Sequence, residues 1–189
     1  MPRWHILLAC LLLPAFGLAQ QEKTLLSDVK MRSSGGWGGY RLQIGKIAGT
    51  NANISGFHLV GEYERKFLLG YNFNWLSSYL PLRPNGVERG LRLNWHSLQL
   101  GYIAAAHRVL HPVVNVDFGL GRVKMNDVGK DQIFVLNPSA GLELNVYRWF
   151  HLALEGGYRF VSNSDLTGLQ KGDLSGFAGQ MTLKFGWSE

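Results

Sequence analysis

The chain has 189 residues, enough for one domain, and a formal charge of +6. Its cations are scattered: Arg65-Lys66 is the only adjacent basic pair after residue 19, and there is no basic helix or aromatic-basic ribbon, which argues against a nucleic-acid partner. The single cysteine, Cys10, falls in the leader and leaves the rest of the chain no disulfide, thiol or zinc-thiolate chemistry.

Residues 1–19 read as an export signal. Arg3 and His5 precede an apolar run from Ile6 to Leu13, Pro14 breaks it, and Gly17-Leu18-Ala19 supplies small residues for cleavage near Ala19. The run is too short to cross a bilayer as a helix. Leu7-Leu8-Ala9-Cys10 resembles a lipoprotein processing box, but apolar sequence continues past the cysteine, which disfavours lipid attachment. Residues 20–35 form a polar lead-in, and a barrel domain is expected over 36–189.

Eight segments of that domain alternate apolar with polar or glycine, the mark of a half-exposed strand. The first sets Tyr40, Leu42 and Ile44 against Arg41, Gln43 and Gly45, after a glycine run at 35–39 that lends flexibility. A polar loop is expected at 46–53. The second strand sets Phe57, Leu59 and Tyr63 against His58, Val60 and Glu62. After a turn at 64–66, the third sets Phe67, Leu69, Tyr71, Phe73 and Trp75 against Leu68, Asn72 and Asn74. A loop at 78–90 carries Pro81, Pro84 and Asn85-Gly86.

The fourth strand begins with Leu91, Leu93 and Trp95 on the apolar face, then changes phase at Ser97 to Leu98, Leu100 and Tyr102. One extra residue, a β-bulge, is the expected cause. A turn at 107–111 leads to Pro112 and a fifth strand with Val114, Val116, Phe118 and Leu120 against Asn115 and Asp117. A loop at 126–132 follows. The sixth strand sets Leu136, Ala140, Leu142 and Leu144 against Asn137, Ser139 and Glu143, with Pro138 expected near the bilayer rim. A turn at 147–149 leads to the seventh, with Phe150, Leu152, Leu154, Tyr158 and Phe160 against His151, Glu155 and Arg159. After a loop at 162–173 the eighth sets Phe177, Met181, Leu183, Phe185 and Trp187 against Gln180, Thr182 and Lys184.

An even strand number, with short turns alternating with longer loops, suits a bacterial outer-membrane barrel whose two ends both lie in the periplasm. Alternation alone fits a soluble lipocalin-like barrel with an apolar interior equally well. Three features favour the apolar face outward. Aromatics gather at strand ends as a girdle: Tyr40, Tyr63, Phe67, Trp149, Phe150 and Trp187 toward the turns, Trp75, Trp95, Tyr158 and Phe160 toward the loops. The other face carries both signs of charge, so Arg41, Glu62, Arg92, Asp117, Glu143, Glu155, Arg159 and Lys184 are expected to form a polar network in a lumen just wide enough to fill with side chains. That face also holds glycines (Gly70, Gly101, Gly119, Gly141, Gly157) where a crowded lumen needs room.

The runs Gly35–Trp75 and Asn137–Trp187, including Leu144-Asn145-Val146-Tyr147-Arg148-Trp149-Phe150, Gly157-Tyr158-Arg159, Asp173-Leu174-Ser175-Gly176 and Leu183-Lys184-Phe185-Gly186-Trp187, resemble small, largely uncharacterised outer-membrane β-barrel proteins of Gram-negative bacteria. The resemblance implies an all-β fold, an eight-stranded antiparallel up-and-down transmembrane β-barrel preceded by a signal peptide, and no catalytic residues to carry over. Such barrels often end on an aromatic residue as an assembly signal, whereas Ser188-Glu189 follow Trp187 here.

Ser162-Asn163 is like the pair used by lipid A-deacylating barrels, but Phe160 stands where those enzymes place a histidine base, and an unassisted serine is a poor nucleophile. His107 and His111 share an expected turn with no carboxylate nearby in sequence, which leaves no metal site; His58, His96 and His151 fall on the polar face. No cofactor is expected, and no enzyme activity. Loop cations Arg83, Arg89, Lys130 and Lys171 are placed to meet lipopolysaccharide phosphates or to be plainly solvated. The expected partners are outer-membrane lipid and lipopolysaccharide, and the assembly machinery during insertion. The leading reading is a structural or surface-contact barrel acting through its loops. A soluble ligand-binding barrel and a lipid-modifying enzyme are the alternatives. The sequence names no surface partner.

Overall fold

The computed structural model describes residues 32–82, 88–162, 166, 169–170 and 172–189. The leader with Cys10, the lead-in up to residue 31, Arg83, Pro84, Asn85-Gly86, Asn163 and Lys171 lie outside the described residues. Nine strands follow in order: β1 (Ser33–Ile47), β2 (Thr50–Tyr63), β3 (Phe67–Leu76), β4 (Leu80–Leu82), β5 (Arg89–Ile103), β6 (Leu110–Met125), β7 (Gly129–Tyr147), β8 (Phe150–Ser162) and β9 (Gly176–Ser188). β1 takes in Ser33, Ser34 and Gly35, which fall within the stretch read as lead-in.

Apart from β3 and β4, each strand pairs antiparallel with the next, β9 returns to β1, and β3 pairs with β5 to close the ring. The three-residue β4 pairs with the start of β5 and extends that seam upward from β3. The result is a closed eight-stranded barrel with no free edge. One end, the turn end, carries the connections 64–66, 104–109 and 148–149 and the strand termini Ser33 and Ser188. Glu64 (φ 52) and Arg65 (φ 54) form a primed two-residue turn, closed by Lys66 N–H donating to Tyr63 O at 3.0 Å.

The loop end differs from expectation. Residues 46–53 are not a loop: Ile47 pairs with Thr50 across a tight turn of Ala48 (φ 47) and Gly49 (φ 76). Residues 129–132 belong to β7, and the turn there is only 126–128. The physical reason is that polar residues in these stretches keep alternating, with Lys46, Asn51 and Asn53 exposed while Ile47, Ala52 and Ile54 are buried. They are strand, with water instead of lipid outside.

The same inversion explains β5. No bulge interrupts it, because its register with β3 and β6 is continuous through Ser97. Leu91, Leu93, Trp95, Ser97 and Gln99 all face the interior, while Arg92, Asn94, His96, Leu98 and Leu100 face out. The apparent phase change is a change of surroundings along one uninterrupted face. Pro138 finds its place inside the sheet. It lies mid-strand in β7, opposite Val116, where the ladder to β8 skips from Leu136–Phe160 to Ser139–Gly157. That interruption accommodates its missing donor.

Between the two ends the outer face is apolar. Phe57, Leu59, Leu100, Leu154 and Phe177 are 59%, 60%, 50%, 55% and 79% exposed. On β8 the outward row from Phe150 to Phe160 is unbroken by any charge, close to the ~9–11 residues a tilted strand needs to cross a bilayer. An apolar surface of this extent around a closed barrel is a lipid-facing one.

Candidate functional site

Inward-facing side chains stack in three layers. At the loop end Ile47, Ile54, Leu80, Leu91, Leu93, Trp95, Val123, Met125, Ile133 and Val135 form an apolar cap, onto which Leu166 and Leu174 of the last long connection fold. Arg159 fastens that connection. Its Nε donates to Leu174 O at 3.0 Å and Nη2 to Lys46 O at 3.3 Å. Arg159 therefore serves backbone carbonyls instead of the carboxylate network expected of it.

The middle layer is polar and continuous. Arg41 on β1 and Asp117 on β6 stand on opposite walls of the ring, and Nη1 donates to Oδ2 at 2.7 Å with both side chains buried. Arg41 also donates to Gln99 Oε1 (3.2 Å) and Thr182 Oγ1 (3.2 Å). Asn72 Nδ2 donates to Asp117 Oδ1 at 3.1 Å, and His58 Nδ1 donates to Asn72 Oδ1 at 2.9 Å. From Gln99 the chain of bonds runs to Asn115 (2.7 Å) and on to Glu155 (2.8 Å), which also accepts from Ser139 Oγ (2.7 Å). Gln180 joins Ser139 (3.0 Å) to Gln43 (2.7 Å). A buried charge pair persists only when its remaining lone pairs and protons find partners, and this layer provides them. Gly101 is part of the fit: a Cβ there would meet Asn115 Oδ1 and Leu68.

Toward the turn end, Glu143 accepts from Lys184 Nζ and His151 Nδ1, each at 2.8 Å. Glu62 accepts from Trp37 Nε1 (3.0 Å), Ser34 Oγ (3.2 Å) and Ser188 Oγ (2.6 Å). The Trp37 ring lies against the His151 ring at 4.0 Å between centroids. Below this layer a cavity of about 730 Å³ opens at the turn end, lined by Glu62, His111, Glu143 and His151 among others. Among the described residues no group of three or more His, Cys, Asp or Glu is arranged to hold a metal ion.

Seven of the eight residues named for the lumen are buried there: Arg41, Glu62, Asp117, Glu143, Glu155, Arg159 and Lys184. Arg92 is not; it faces solvent from the outer wall of β5. Of the girdle residues, Trp149 and Trp187 are well exposed at the turn end, where Trp149 stacks on Tyr147 (5.6 Å) and faces Phe185 (6.1 Å). Tyr63 is half-buried there. Tyr158 meets Phe177 edge-on at 4.9 Å nearer the loop end. Tyr40 sits with Phe57 (6.2 Å) and Trp75 (6.4 Å), not with the turn-end group. Trp95 is no girdle member: it is 2% exposed, inside the cap.

Two histidines also move. His96 is outside, hydrogen-bonded to Tyr71 OH and stacked on Phe73 at 4.7 Å. His111 belongs to β6 and is buried in the lumen, apart from the exposed turn residue His107. Trp37, which shapes the lower layer, escaped sequence reading because glycines flank it on both sides. Its signal was present, since position 37 shares the parity of Arg41 and Gln43.

No family model matches the chain, and no curated protein matches it by sequence. Solved structures do match in fold. The N-terminal β-barrel domain of Pseudomonas aeruginosa OprF aligns with a TM-score of 0.57 at 14% identity, covering 82% of this chain and 100% of that one. Neisserial surface protein A aligns with a TM-score of 0.56 at 10% identity, covering 82% and 96%. The outer membrane protein OprG of Pseudomonas aeruginosa aligns with a TM-score of 0.51 at 8% identity, covering 84% and 98%. The fold is that of eight-stranded outer-membrane barrels.

Proposed function

We propose that this chain is an exported outer-membrane barrel with a structural or surface-contact role, its lumen closed to solutes. The observation that carries this reading is the Arg41–Asp117 bond across the full width of the barrel, inside a polar layer bonded from wall to wall and roofed by the apolar cap. A conduit needs a water column, and side chains bonded across the barrel's width support a lumen without one. Function then falls to the outer surface and the rim, with outer-membrane lipid and lipopolysaccharide as standing partners and the assembly machinery as a transient one. The signal peptide with cleavage near Ala19 belongs to the same proposal.

The soluble-binder alternative requires apolar side chains within and carboxylates without. Through the middle of the barrel the arrangement is the reverse. The enzyme alternative has no histidine at Phe160, which faces outward and is half exposed.

Planar-bilayer recording of the full chain tests the closed lumen. The expected trace has no sustained large openings; steady large conductance would overturn it. Mass analysis of lipid A from a deletion strain tests the enzyme alternative, and the expected profile is unchanged.

A further inference from the structure

On the outer wall of β5, β6 and β7, Lys124 is the direct cross-strand partner of both Arg92 and Lys130. Three cations thus stand side by side on adjacent strands, within about 10 Å at ordinary strand spacing. One step down the same wall, Arg122 sits between its partners Asn94 and Gln132. All six side chains are exposed, and every one carries hydrogen-bond donors. Like charges directly opposite one another on a sheet are destabilising. The nearby turn residue Asp127 faces Arg89 at 3.6 Å.

The depth of this ladder specifies its ligand. Directly beneath it the wall becomes apolar, with Leu120 at 69% and Phe134 at 38% exposure. A molecule that meets both zones has acyl chains below and a polyanionic head above. We infer that the Arg92–Lys124–Lys130 row, with Arg122 beneath, is a docking site for the phosphoryl groups of a phosphorylated glycolipid in the outer leaflet. The inference rests on the reading of the apolar band as lipid-facing. Charge-assisted bonds to phosphate oxygens relieve the repulsion among these neighbouring cations. A single phosphate between neighbouring strands engages two cations at once, and a second phosphate engages the third cation together with Arg122.

The test uses the full chain, purified folded in detergent, titrated with bisphosphorylated lipid A and with the same lipid after dephosphorylation. Native mass spectrometry counts bound lipid. The wild type is expected to hold the phosphorylated form at least about tenfold more tightly, on a contribution of about fivefold per surface cation. The triple variant R92Q/K124Q/K130Q is expected to lose that preference and to unfold no more easily than the wild type, since a like-charge row has been removed. A control triple at the other end, R65Q/R108Q/R148Q, keeps the preference. Equal binding of the two lipids by the wild type, retention of the preference in the ladder variant, or equal loss in both triples each overturns the proposal. Should the ladder triple not fold, K124Q alone must cut the preference by about fivefold. A wild-type chain soluble without detergent would strike the lipid-facing reading itself, a separate result.

Discussion

The membrane-band portion of the barrel and the portion near the loop end use the same strands, the same alternation and opposite polarity. In the band, Leu98, Leu100 and Leu154 face out while Arg41, Asp117 and Glu155 face in. Near the loop end, Arg92, Lys124 and Lys130 face out while Leu91, Leu93, Val123 and Ile133 face in. The boundary crosses β5 between Trp95 and Ser97 without a break in the ladder. A strand's geometry decides only which residues share a face. The medium on each side decides which face is polar.

This contrast can be broken at its centre first. Asp117→Ala leaves the Arg41 guanidinium buried without its anion, and is expected to lower unfolding stability by about 3–5 kcal/mol. Urea denaturation of folded protein in lipid vesicles, followed by tryptophan emission, measures it. The conservative Asp117→Asn is expected to recover part of the loss, because its single amide oxygen can still accept from Arg41. A charge placed on the lipid face comes next. Leu154→Arg, mid-band on β8, is expected to cost about 2–4 kcal/mol by the same assay.

In the cap, Leu93→Ala opens a cavity and is expected to cost ~2–3 kcal/mol, as in a water-soluble core. The effect of that change should persist in any detergent, because no lipid touches the site. The smallest effect sharpens the boundary: Asn94→Arg, outward but above the apolar band, is expected to cost at most about 1 kcal/mol, all of it from the guanidinium of Arg122 directly opposite. Arginine on the outer face is then costly at 154 and much cheaper at 94.

The sequence carried the fold through its period. Eight alternating segments, short turns such as 64–66, and charges confined to one parity in mid-strand were all legible. The height at which lipid gives way to water was not. Alternation is blind to solvent, so residues such as Ile47, Ala52 and Ile54 sat among polar neighbours and resembled a loop, while Leu93 and Trp95 resembled lipid-facing residues. Their flanking charges, Arg92 and Lys124 above all, held the missing information, because a cation cannot face the middle of a bilayer cheaply. The lumen network was legible as a set of residues and not as a set of bonds. Which cation meets which carboxylate depends on register and ring position, and these put Arg41 opposite Asp117 and sent Arg159 to the carbonyls of Leu174 and Lys46.

One measurement bears most directly on the inverted barrel. Expressed without residues 1–19, which hold Cys10, the chain is free of cysteine, so single spin labels placed at Leu154 and at Asn94 in reconstituted vesicles report depth cleanly. Collision with oxygen, which concentrates among acyl chains, should dominate at 154, and collision with a water-soluble nickel chelate should dominate at 94. Chelate-dominated relaxation at 154, or oxygen-dominated relaxation at 94, would contradict the account.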